Sequence, residues 1–378
     1  MGINMKITDT QINKIMKKLP HGVTEDYVRS IVESFPDQTP YAMVEAPLIV
    51  AVRRDQGKAK PEDVSKEIQA QLIAKKRSAQ GQSAGNTKTI TREYFDHLLV
   101  EQRLIGSVAP DTKTTIFGQE LDTPVMTAAL SHLGKFNSDL PGGMYDYACS
   151  AAMNNALHFV GMCDNEEFAD VIKAGAKTVR IIKPYKDEEK IFDQIAFAKE
   201  AGAVAVGMDI DHIFTRSGDT DVTMGEEMEA KSLDQFRAYI GISELPFVIK
   251  GVLSETDAMK ALEIGAGGIV VSHHGGRIDY AVPPLYVLPK IAQAVKGKMP
   301  IFIDCGVQSG MDVYKAMALG ADGVCIGTHL IPTLKKGGVK ACAGRIDEIT
   351  KELKGVMAFT GVRDTNSFDP MVIHEKTW

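Results

Sequence analysis

The stretch VIKGVLSETDAMKALEIGAGGIVVSHHGGRID, residues 248–279, indicates the fold of this chain. It begins with an apolar run that ends in Lys250, continues with an amphipathic segment closed by Gly265, and enters a second apolar run that ends in Ser272. This order is typical of a strand, a helix and a second strand. Strands joined by helices are parallel, and reactive side chains at their carboxyl ends are typical of an active site.

The same unit recurs along the chain. A Gly-Ala pair stands before an apolar run at 175–176, 202–203, 265–266 and 320–321, and glycine at such a point favours the end of a helix. We predict strands at Val125–Leu130, Leu157–Val160, Thr178–Ile182, Val204–Asp209, Phe247–Lys250, Gly268–Ser272, Ile301–Asp304 and Gly323–Ile326. Eight strands alternating with helices predict an α/β fold, a (β/α)8 TIM barrel, over residues 91–378. An open doubly wound sheet is disfavoured because no GxGxxG motif follows the first strand.

Residues 1–90 differ from this pattern, and we predict an N-terminal helical segment with a linker. Amphipathic helices are predicted at Ile7–Leu19, at Thr24–Phe35 with Thr24 as its N-cap, and at Pro61–Lys76. The polar, Gly- and Ser-rich residues 78–90 are typical of a linker. Residues 217–231 lack both periodicities, which predicts a mobile lid.

Composition excludes several classes of function. The chain has 378 residues and a net charge of −6, which argues against nucleic acid as the main partner. No apolar run reaches the roughly 18 residues that a membrane span needs. The five cysteines form no CxxC pair and predict buried free thiols. With no signal-peptide core in the first residues, we expect a cytoplasmic protein. Separately, we expect no metal site.

Polar side chains at the predicted strand ends would meet at one mouth of the barrel. A histidine beside a carboxylate is the usual arrangement of a general base, and His274 and Asp209 supply these groups. Arg277 offers a planar fork for a substrate carboxylate. Taken alone, an aspartate such as Asp209 is more often a helix cap or part of a salt bridge, and a lysine such as Lys250 is usually part of a structural ion pair. The sequence His-His-Gly-Gly-Arg after an apolar strand favours a functional site.

The last two units predict an anion site. Glycine-rich loops follow the seventh strand, Asp304 to Gly310, and the eighth, at Gly327 and Thr328. Such loops commonly form the phosphate cradle of these barrels, because their backbone N–H groups are free to bind an anion. Tight packing of glycine-rich turns is the alternative.

The motif SHHGGRID resembles the signature of the FMN-dependent 2-hydroxy acid oxidases and dehydrogenases, Ser-Asn-His-Gly-Ala/Gly-Arg-Gln-Leu-Asp. The similarity extends through VIKGVLSETDA, IDCGVQSGMDVYKAMALGADGVCIG and MAFTGVR, and covers roughly residues 92–370. The resemblance implies an FMN enzyme that oxidises a 2-hydroxy acid to the 2-oxo acid and assembles as a homotetramer.

The resemblance also assigns roles to individual residues. It makes His274 the catalytic base and Asp209 its partner, with Arg277 and Arg216 on the substrate carboxylate. Lys183 falls in the substrate site. Residues implied in FMN binding are Ala128, Lys250, Ser272, Asp304, Gly306, Gly327 and Thr328.

The chain also departs from the family pattern. Ile181 and Gly207 replace a Gln and a Thr that meet the flavin, and Gln308 and Thr328 replace two arginines at its phosphate. Further departures are His273 for Asn, Cys305 for Gly, and a shortened segment at Ile278.

Two tyrosines of the family become cations in this chain, Lys183 and, by simple counting, Arg77. Added positive charge in a substrate site is costly unless the ligand matches it. We therefore predict a small anionic substrate with a second carboxylate or phosphate. An ion pair between Lys183 and a barrel carboxylate such as Asp211 is the structural alternative.

Two other functions are compatible with the sequence. DCGVQSGMDVYKAMALGADG also resembles the type 2 isopentenyl diphosphate isomerases and the inosine monophosphate dehydrogenases, so a redox-neutral FMN barrel is an alternative. A barrel that binds an anionic metabolite without flavin is the third possibility. It is disfavoured because a binding protein needs the arginines but not the base His274.

Overall fold

The computed structural model describes residues 8–35, 41–69, 84–134, 140 and 142–378. These fall into two compact units, Met1–Ser83 with Asp221–Glu227, and Ala84–Thr220 with Met228–Trp378. We predicted a boundary after residue 90, whereas the units divide after Ser83. Arg77 lies outside the described residues, so the structure gives no account of it.

The first unit is helical and has its own core. Its helices are Asp9–Met16, Glu25–Glu33 and Tyr41–Asp55, and residues 61–69 are also helical. Thr24 is the N-cap of the second helix, as predicted. Residues 70–76, the end of the third predicted helix, lie outside the described residues. The helix Tyr41–Asp55 was not predicted, because Pro47 interrupts its apolar run.

Apolar side chains of these helices form one buried cluster that includes Ile12, Ile31, Leu48, Val52 and Ile68. The short hairpin Val222–Thr223 and Glu226–Glu227 belongs to the same unit. It lies within the segment that we predicted as a loop, and its mobility stays a prediction.

The second unit is a closed parallel barrel, which confirms the predicted fold. Its strands are β1 (Val125–Leu130), β2 (Leu157–Val160), β3 (Lys177–Ile182), β4 (Ala205–Asp209), β5 (Phe247–Val252), β6 (Gly268–Val271), β7 (Ile301–Ile303) and β8 (Gly323–Ile326). Each strand pairs with the next, and β8 pairs with β1 to close the sheet. Every predicted strand lies within two residues of its predicted ends.

One helix follows each strand. These helices are α1 (Gly143–Ala152), α2 (Asn165–Lys173), α3 (Glu188–Ala201), α4 (Leu233–Ser243), α5 (Glu255–Glu263), α6 (Pro284–Val295), α7 (Gly310–Ala318) and α8 (Ile331–Thr360). Helix α8 is broken at Gly338, which has a φ of 63°. The glycine after α3 has a φ of 93° and caps the helix in the left-handed conformation, as the recurring Gly-Ala pairs predicted.

Several elements outside the repeat complete the barrel unit. The hairpin Thr114–Ile116 and Gln119–Leu121 packs Ile116 and Leu121 into the interior cluster of the barrel. Strand Leu98–Val100 pairs with the C-terminal strand Ile373–Glu375. Among the described residues, no helix combines the length and apolarity that crossing a bilayer requires.

The helix Ala84–His97 precedes the barrel and contradicts part of the predicted linker. Residues 84–90 are helical, so the linker prediction is wrong there, while residues 78–83 lie outside the described residues. Thr87 and Thr91 are buried on this helix. Tertiary packing therefore outweighs the weak helix propensity of this polar, threonine-containing segment.

Candidate active site

Polar side chains converge at the carboxyl ends of the barrel strands, as predicted. Alternate residues of each strand face the apolar interior, and the last ones at this end are Lys183, Asp209, Lys250, Ser272 and Asp304. All five are buried. Asp209 and Lys250 are register partners on β4 and β5, so the pairing of the strands alone places them side by side.

Asp209 lies in contact with two lysines. Lys183 Nζ is 2.6 Å from its Oδ2 and Lys250 Nζ is 3.5 Å from its Oδ1. Burial opposes ionisation of this carboxyl, but the two ammonium groups outweigh burial and hold the pKa of Asp209 well below its ordinary value. Lys183 thus forms a buried ion pair with a barrel carboxylate, as the structural alternative held, and the carboxylate is that of Asp209.

His274 turns one nitrogen toward this network. Its Nδ1 lies 2.8 Å from Asp211 Oδ1, 3.3 Å from Asp209 Oδ2 and 3.1 Å from Lys250 Nζ. Burial and the Lys250 charge lower the pKa of His274, but the two carboxylates outweigh them and raise it above its ordinary value. A proton on Nδ1 matches two carboxylates better than one ammonium, so neutral His274 keeps a lone pair on Nε2.

Lys250 is buried among carboxylates that are near but not tightly bound. Asp211 Oδ2 and Asp304 Oδ2 lie 3.9 and 4.0 Å from its Nζ. Burial lowers its affinity for the proton, but these carboxylates and Asp209 raise the pKa of Lys250, so it stays charged. Among the described residues only His274 lies within hydrogen-bond distance of Nζ, which leaves N–H donors for a ligand.

The two predicted carboxylate-binding arginines lie on loops that contact each other. Arg277 Nη2 donates to Phe214 O at 2.6 Å, and its Nη1 lies 3.4 Å from His212 Nε2. Arg216 Nη1 lies 3.0 Å from Asp279 Oδ1 and its Nη2 donates to Gly276 O. The loops after β4 and β6 are therefore joined by both guanidinium groups.

The helix Ala84–His97 supports the signature loop from behind, and sequence reasoning missed this role. His273 Nε2 lies 2.8 Å from Thr91 Oγ1, and Thr87 Oγ1 donates to Ile278 O. His273 is buried and its pKa is lowered by burial. The exchange of the family's Asn for His273 is therefore matched by a hydroxyl on a neighbouring helix.

Ser272 and Cys305 shape the turn that presents His274. The backbone N–H of His274, at a left-handed φ of 52°, donates to Ser272 Oγ. Gly275 N–H donates to Cys305 Sγ, and the thiol donates to Asp304 Oδ1 at 2.9 Å. Burial and the Asp304 charge raise the pKa of the Cys305 thiol, so it remains protonated and able to donate.

The predicted phosphate cradle is only partly open. The N–H groups of Gln308 and Ser309 donate to Asp312 Oδ2, and that of Gly310 donates to Glu352 Oε2. These groups at the start of α7 are already satisfied. In the described loops after β7 and β8, several N–H groups donate to no protein acceptor, and we single out three of them as suited to an anion. They belong to Gly306, Gly327 and Thr328.

A further arginine lies at this cradle. Arg345 Nη2 donates to Gln308 O at 2.9 Å, while its Nη1 lies 3.1 Å from both Glu348 and Glu352. Burial and the Arg345 charge lower the pKa of His329, which follows Thr328. Arg345 therefore acts on both loops of the cradle.

Two departures from the family pattern fit together in the barrel interior. A Cβ added at Gly207 would lie 2.9 Å from Ile181 Cδ1 and 2.2 Å from Val248 O. Ile181 thus fills the space beside Gly207, and both polar groups are replaced by one apolar contact. Ala128, at the end of β1, is buried; a Cβ at Gly327 would lie 3.1 Å from its Cβ.

The carboxylates and His274 also resemble a metal site in composition. Asp209, Asp211 and His274 offer ligand atoms within 4.8 Å of one another. Because Lys183 and Lys250 already contact Asp209, a divalent cation would meet two ammonium groups. We interpret the cluster as an ion-pair network.

Comparison with known proteins identifies the family. The family model for FMN-dependent dehydrogenase matches residues 70–241 and 223–375. The chain belongs to the FMN-dependent dehydrogenase family. Its sequence is 31% identical over 301 residues to L-lactate oxidase of Lactobacillus jensenii, covering 71% of this chain and 73% of that protein. A peroxisomal (S)-2-hydroxyacid oxidase of Arabidopsis thaliana is 30% identical over 302 residues, covering 71% and 82%.

Solved structures of the family share the architecture. A mandelate oxidase variant with a monooxide FMN adduct is 26% identical and superposes with a TM-score of 0.69. The match covers 76% of this chain and 91% of that one. Mandelate oxidase with benzoyl-formic acid is 25% identical at the same TM-score. These comparisons confirm the family that the signature at residues 272–279 indicated.

Proposed function

We propose that this protein oxidises a 2-hydroxy acid to the corresponding 2-oxo acid with FMN as its cofactor. The observation that carries the proposal is the placement of His274, with Nδ1 against two carboxylates, on the same loop as Arg277 in a family of flavin-dependent oxidases. Its relatives include a lactate oxidase and a 2-hydroxyacid oxidase.

The side chains divide the work between binding and proton removal. Arg277 and Arg216 orient the substrate carboxylate at the mouth, where a planar guanidinium matches its two oxygens. His274 Nε2 then takes the hydroxyl or α-carbon proton of the substrate. The carboxylates at Nδ1 stabilise the imidazolium that results. Each role is assigned to this chain by position and chemistry.

FMN fits the donors that the chain offers. When bound, FMN supplies the acceptor for the two electrons that leave the substrate. Lys250 is charged, buried and has spare donors for the pyrimidine end of the ring, while Ser272 and Ala128 line the same strand ends. The open N–H groups of the loops after β7 and β8 suit the phosphate. Asp304 lies near Lys250 and accepts a hydrogen bond from the Cys305 thiol. We therefore assign it a supporting role for these two residues and not a contact with the phosphate.

A dianionic substrate was predicted because Lys183 would add positive charge to the substrate site. The ion pairs in the structure remove that reason. Lys183 is neutralised by Asp209 at 2.6 Å, and Arg216 is paired with Asp279. Asp211 brings a further carboxylate to within 3.9 Å of Lys250. We therefore propose a 2-hydroxy acid whose single carboxylate suffices for binding.

A redox-neutral FMN barrel remains the second candidate. The buried base His274 could serve both reactions. The two arginines assigned to a carboxylate, Arg277 and Arg216, favour oxidation of a 2-hydroxy acid. A single experiment separates them. Purified protein is reconstituted with FMN and mixed anaerobically with a panel of 2-hydroxy acids, and flavin absorbance is followed. Bleaching by at least one acid supports the oxidation; flavin that stays oxidised with every acid contradicts it.

We further propose a cytoplasmic homotetramer. Tetrameric assembly is what the family resemblance implies, and all five cysteines are free thiols, which suits a reducing compartment. Light scattering coupled to gel filtration measures the assembly directly. A monomeric mass would contradict the proposal.

A further inference from the structure

Two carboxylates lie at the same nitrogen of His274, and they are not equivalent. Asp211 Oδ1 is 2.8 Å from Nδ1 and Asp209 Oδ2 is 3.3 Å away. A base of this kind needs one carboxylate to orient its ring and stabilise its charged form. Geometry alone gives Asp211 the closer contact.

Asp209 is occupied by other partners. The same Oδ2 that faces His274 lies 2.6 Å from Lys183 Nζ, and the second oxygen lies 3.5 Å from Lys250 Nζ. Both oxygens therefore face ammonium groups that are themselves almost fully buried. The two ammonium groups hold Asp209 in place. Its charge still does more than Asp211 to raise the pKa of His274, and burial next to Asp209 raises the pKa of Asp211. What separates the two carboxylates is therefore the 2.8 Å contact and the ion pairs that fix Asp209, not the size of the potential.

Asp211 occupies a niche that the backbone provides. Strand β5 shifts register between Lys250 and Val252, and the intervening Gly251 has a φ of 103°. A Cβ on Gly251 would lie 2.7 Å from Asp211 Oδ2. A bulge with glycine at this point thus leaves the space in which the carboxylate of Asp211 approaches His274.

We propose that Asp211 is the residue that positions His274. In this proposal Asp209 is held by its ion pair with Lys183 and serves mainly to neutralise Lys250. Lys183 contacts Asp209 while Asp211 contacts His274, so the two carboxylates have different partners. The inference concerns how the base of the proposed function is held, and rests on that function only for its kinetic consequences.

The groups that face His274 come from five strand ends or the loops that follow them. They are Lys183 of β3, acting through Asp209; Asp209, Asp211 and His212 at and after β4; Lys250 of β5; His273 after β6; and Asp304 and Cys305 after β7. Of these, Asp211 is the carboxylate closest to Nδ1.

The first test measures His274 itself and needs no substrate. Histidine ring carbons are labelled in holoprotein, and the His274 resonance is assigned by its loss in His274→Gln. Asp211→Asn should lower the pKa of His274, and by less in a Lys183→Met background, where Asp209 loses its 2.6 Å partner and can take the place of Asp211. Asp170→Asn, which makes the same charge change on an exposed helix, is the control and should leave the resonance unchanged. An unshifted pKa in Asp211→Asn, or an equal shift in both backgrounds, would overturn the proposal.

The second test uses anaerobic flavin reduction across pH. His274 must be unprotonated to act, so the rate rises as pH rises through its pKa. Asp211→Asn should move this limb to lower pH and reduce the plateau about tenfold or more. In a Lys183→Met background Asp209 is freed, and the same substitution should cost less. An equal cost in both backgrounds would contradict the division of roles.

The two proposals fail in different ways. If no 2-hydroxy acid reduces the flavin of the parent protein, the proposed oxidation is wrong, while the titration of His274 still decides the role of Asp211. Gly251→Ala provides a second perturbation, because the added methyl meets Asp211 and alanine strains the φ of 103°, so the bulge beside Asp211 changes without the loss of a charge. It should shift the His274 resonance in the same direction as Asp211→Asn; no shift would count against Asp211.

Discussion

The buried ion pair between Lys183 and Asp209 gives a quantitative prediction about stability. Both side chains are about 5% exposed and their charged atoms lie 2.6 Å apart. At an effective dielectric constant of about 20, such a pair attracts by roughly 6 kcal/mol before desolvation is counted. Lys183→Met removes this attraction but leaves Lys250 at 3.5 Å to hold the carboxylate. Breaking a buried pair costs about 3–5 kcal/mol, and with Lys250 remaining we expect about 3 kcal/mol.

The assay is urea unfolding followed by circular dichroism, with the parent and variants measured together. Lys173→Met is the matched control, because Lys173 pairs with Asp170 at 2.7 Å on an exposed helix. Exposed pairs contribute about 0–1 kcal/mol, so the control should be nearly neutral. Lys183→Met with Asp209→Asn should cost less than Lys183→Met alone, since the carboxylate that lost its 2.6 Å partner is also removed.

The pH dependence of this loss has a definite sign. The folded-state pKa of Asp209 is depressed, so its stabilisation is present above the ordinary Asp value and is lost as pH falls through the folded-state pKa. The cost of Lys183→Met should be full at neutral pH and shrink below about pH 4. A cost no larger than that of Lys173→Met, or one that grows in acid, would refute the reasoning.

Three further predictions address the site. His274→Gln should retain FMN but slow flavin reduction by about 10² to 10⁴-fold, the usual loss for a general base; an unchanged rate would remove His274 from the mechanism. Arg345→Met should weaken FMN binding about tenfold, measured by fluorescence quenching, and leave riboflavin binding unchanged, because Arg345 acts at the phosphate loops. Arg237→Met, whose arginine also pairs with two carboxylates, is the control, and an equal loss for both flavins would contradict the assignment. In the substrate panel, dianionic acids should show no advantage over monoanionic ones; a dianion that bleaches flavin tenfold faster would restore the charge argument.

The barrel could be predicted from the sequence because its signals are local. Apolar runs such as Val125–Leu130 and Leu157–Val160 are bounded by turn residues, and their observed ends match the prediction. Parallel pairing then brings Asp209, Lys250 and His274 to one mouth without further information. The helix Ala84–His97 could not be predicted, because its stability depends on the contacts of Thr87 and Thr91 with a loop some 190 residues away.

The division of roles within the site was also beyond the sequence. The identity of Asp211 gave no sign that Gly251 leaves room for it, or that Lys183 would reach Asp209 first. These facts depend on differences of a few tenths of an ångström in the distances between residues on different strands. Residue types and spacing predict which groups share the mouth; only packing decides which of them pair.

The contact between Ile181 and Gly207 constrains the order in which this site could change. Restoring the family's Thr at position 207 would place a Cβ 2.2 Å from Val248 O while Ile181 still fills the neighbouring space. Restoring Gln at 181 first would bury an amide beside a glycine that offers it no side-chain partner. The oxygen of Val248 stays in place whichever residue stands at 181, so a return to Thr at 207 also requires strand β5 to shift. A laboratory lineage selected for tighter flavin binding should therefore recover affinity elsewhere, at residues such as Gln308 or Thr328, before it returns to the ancestral pair.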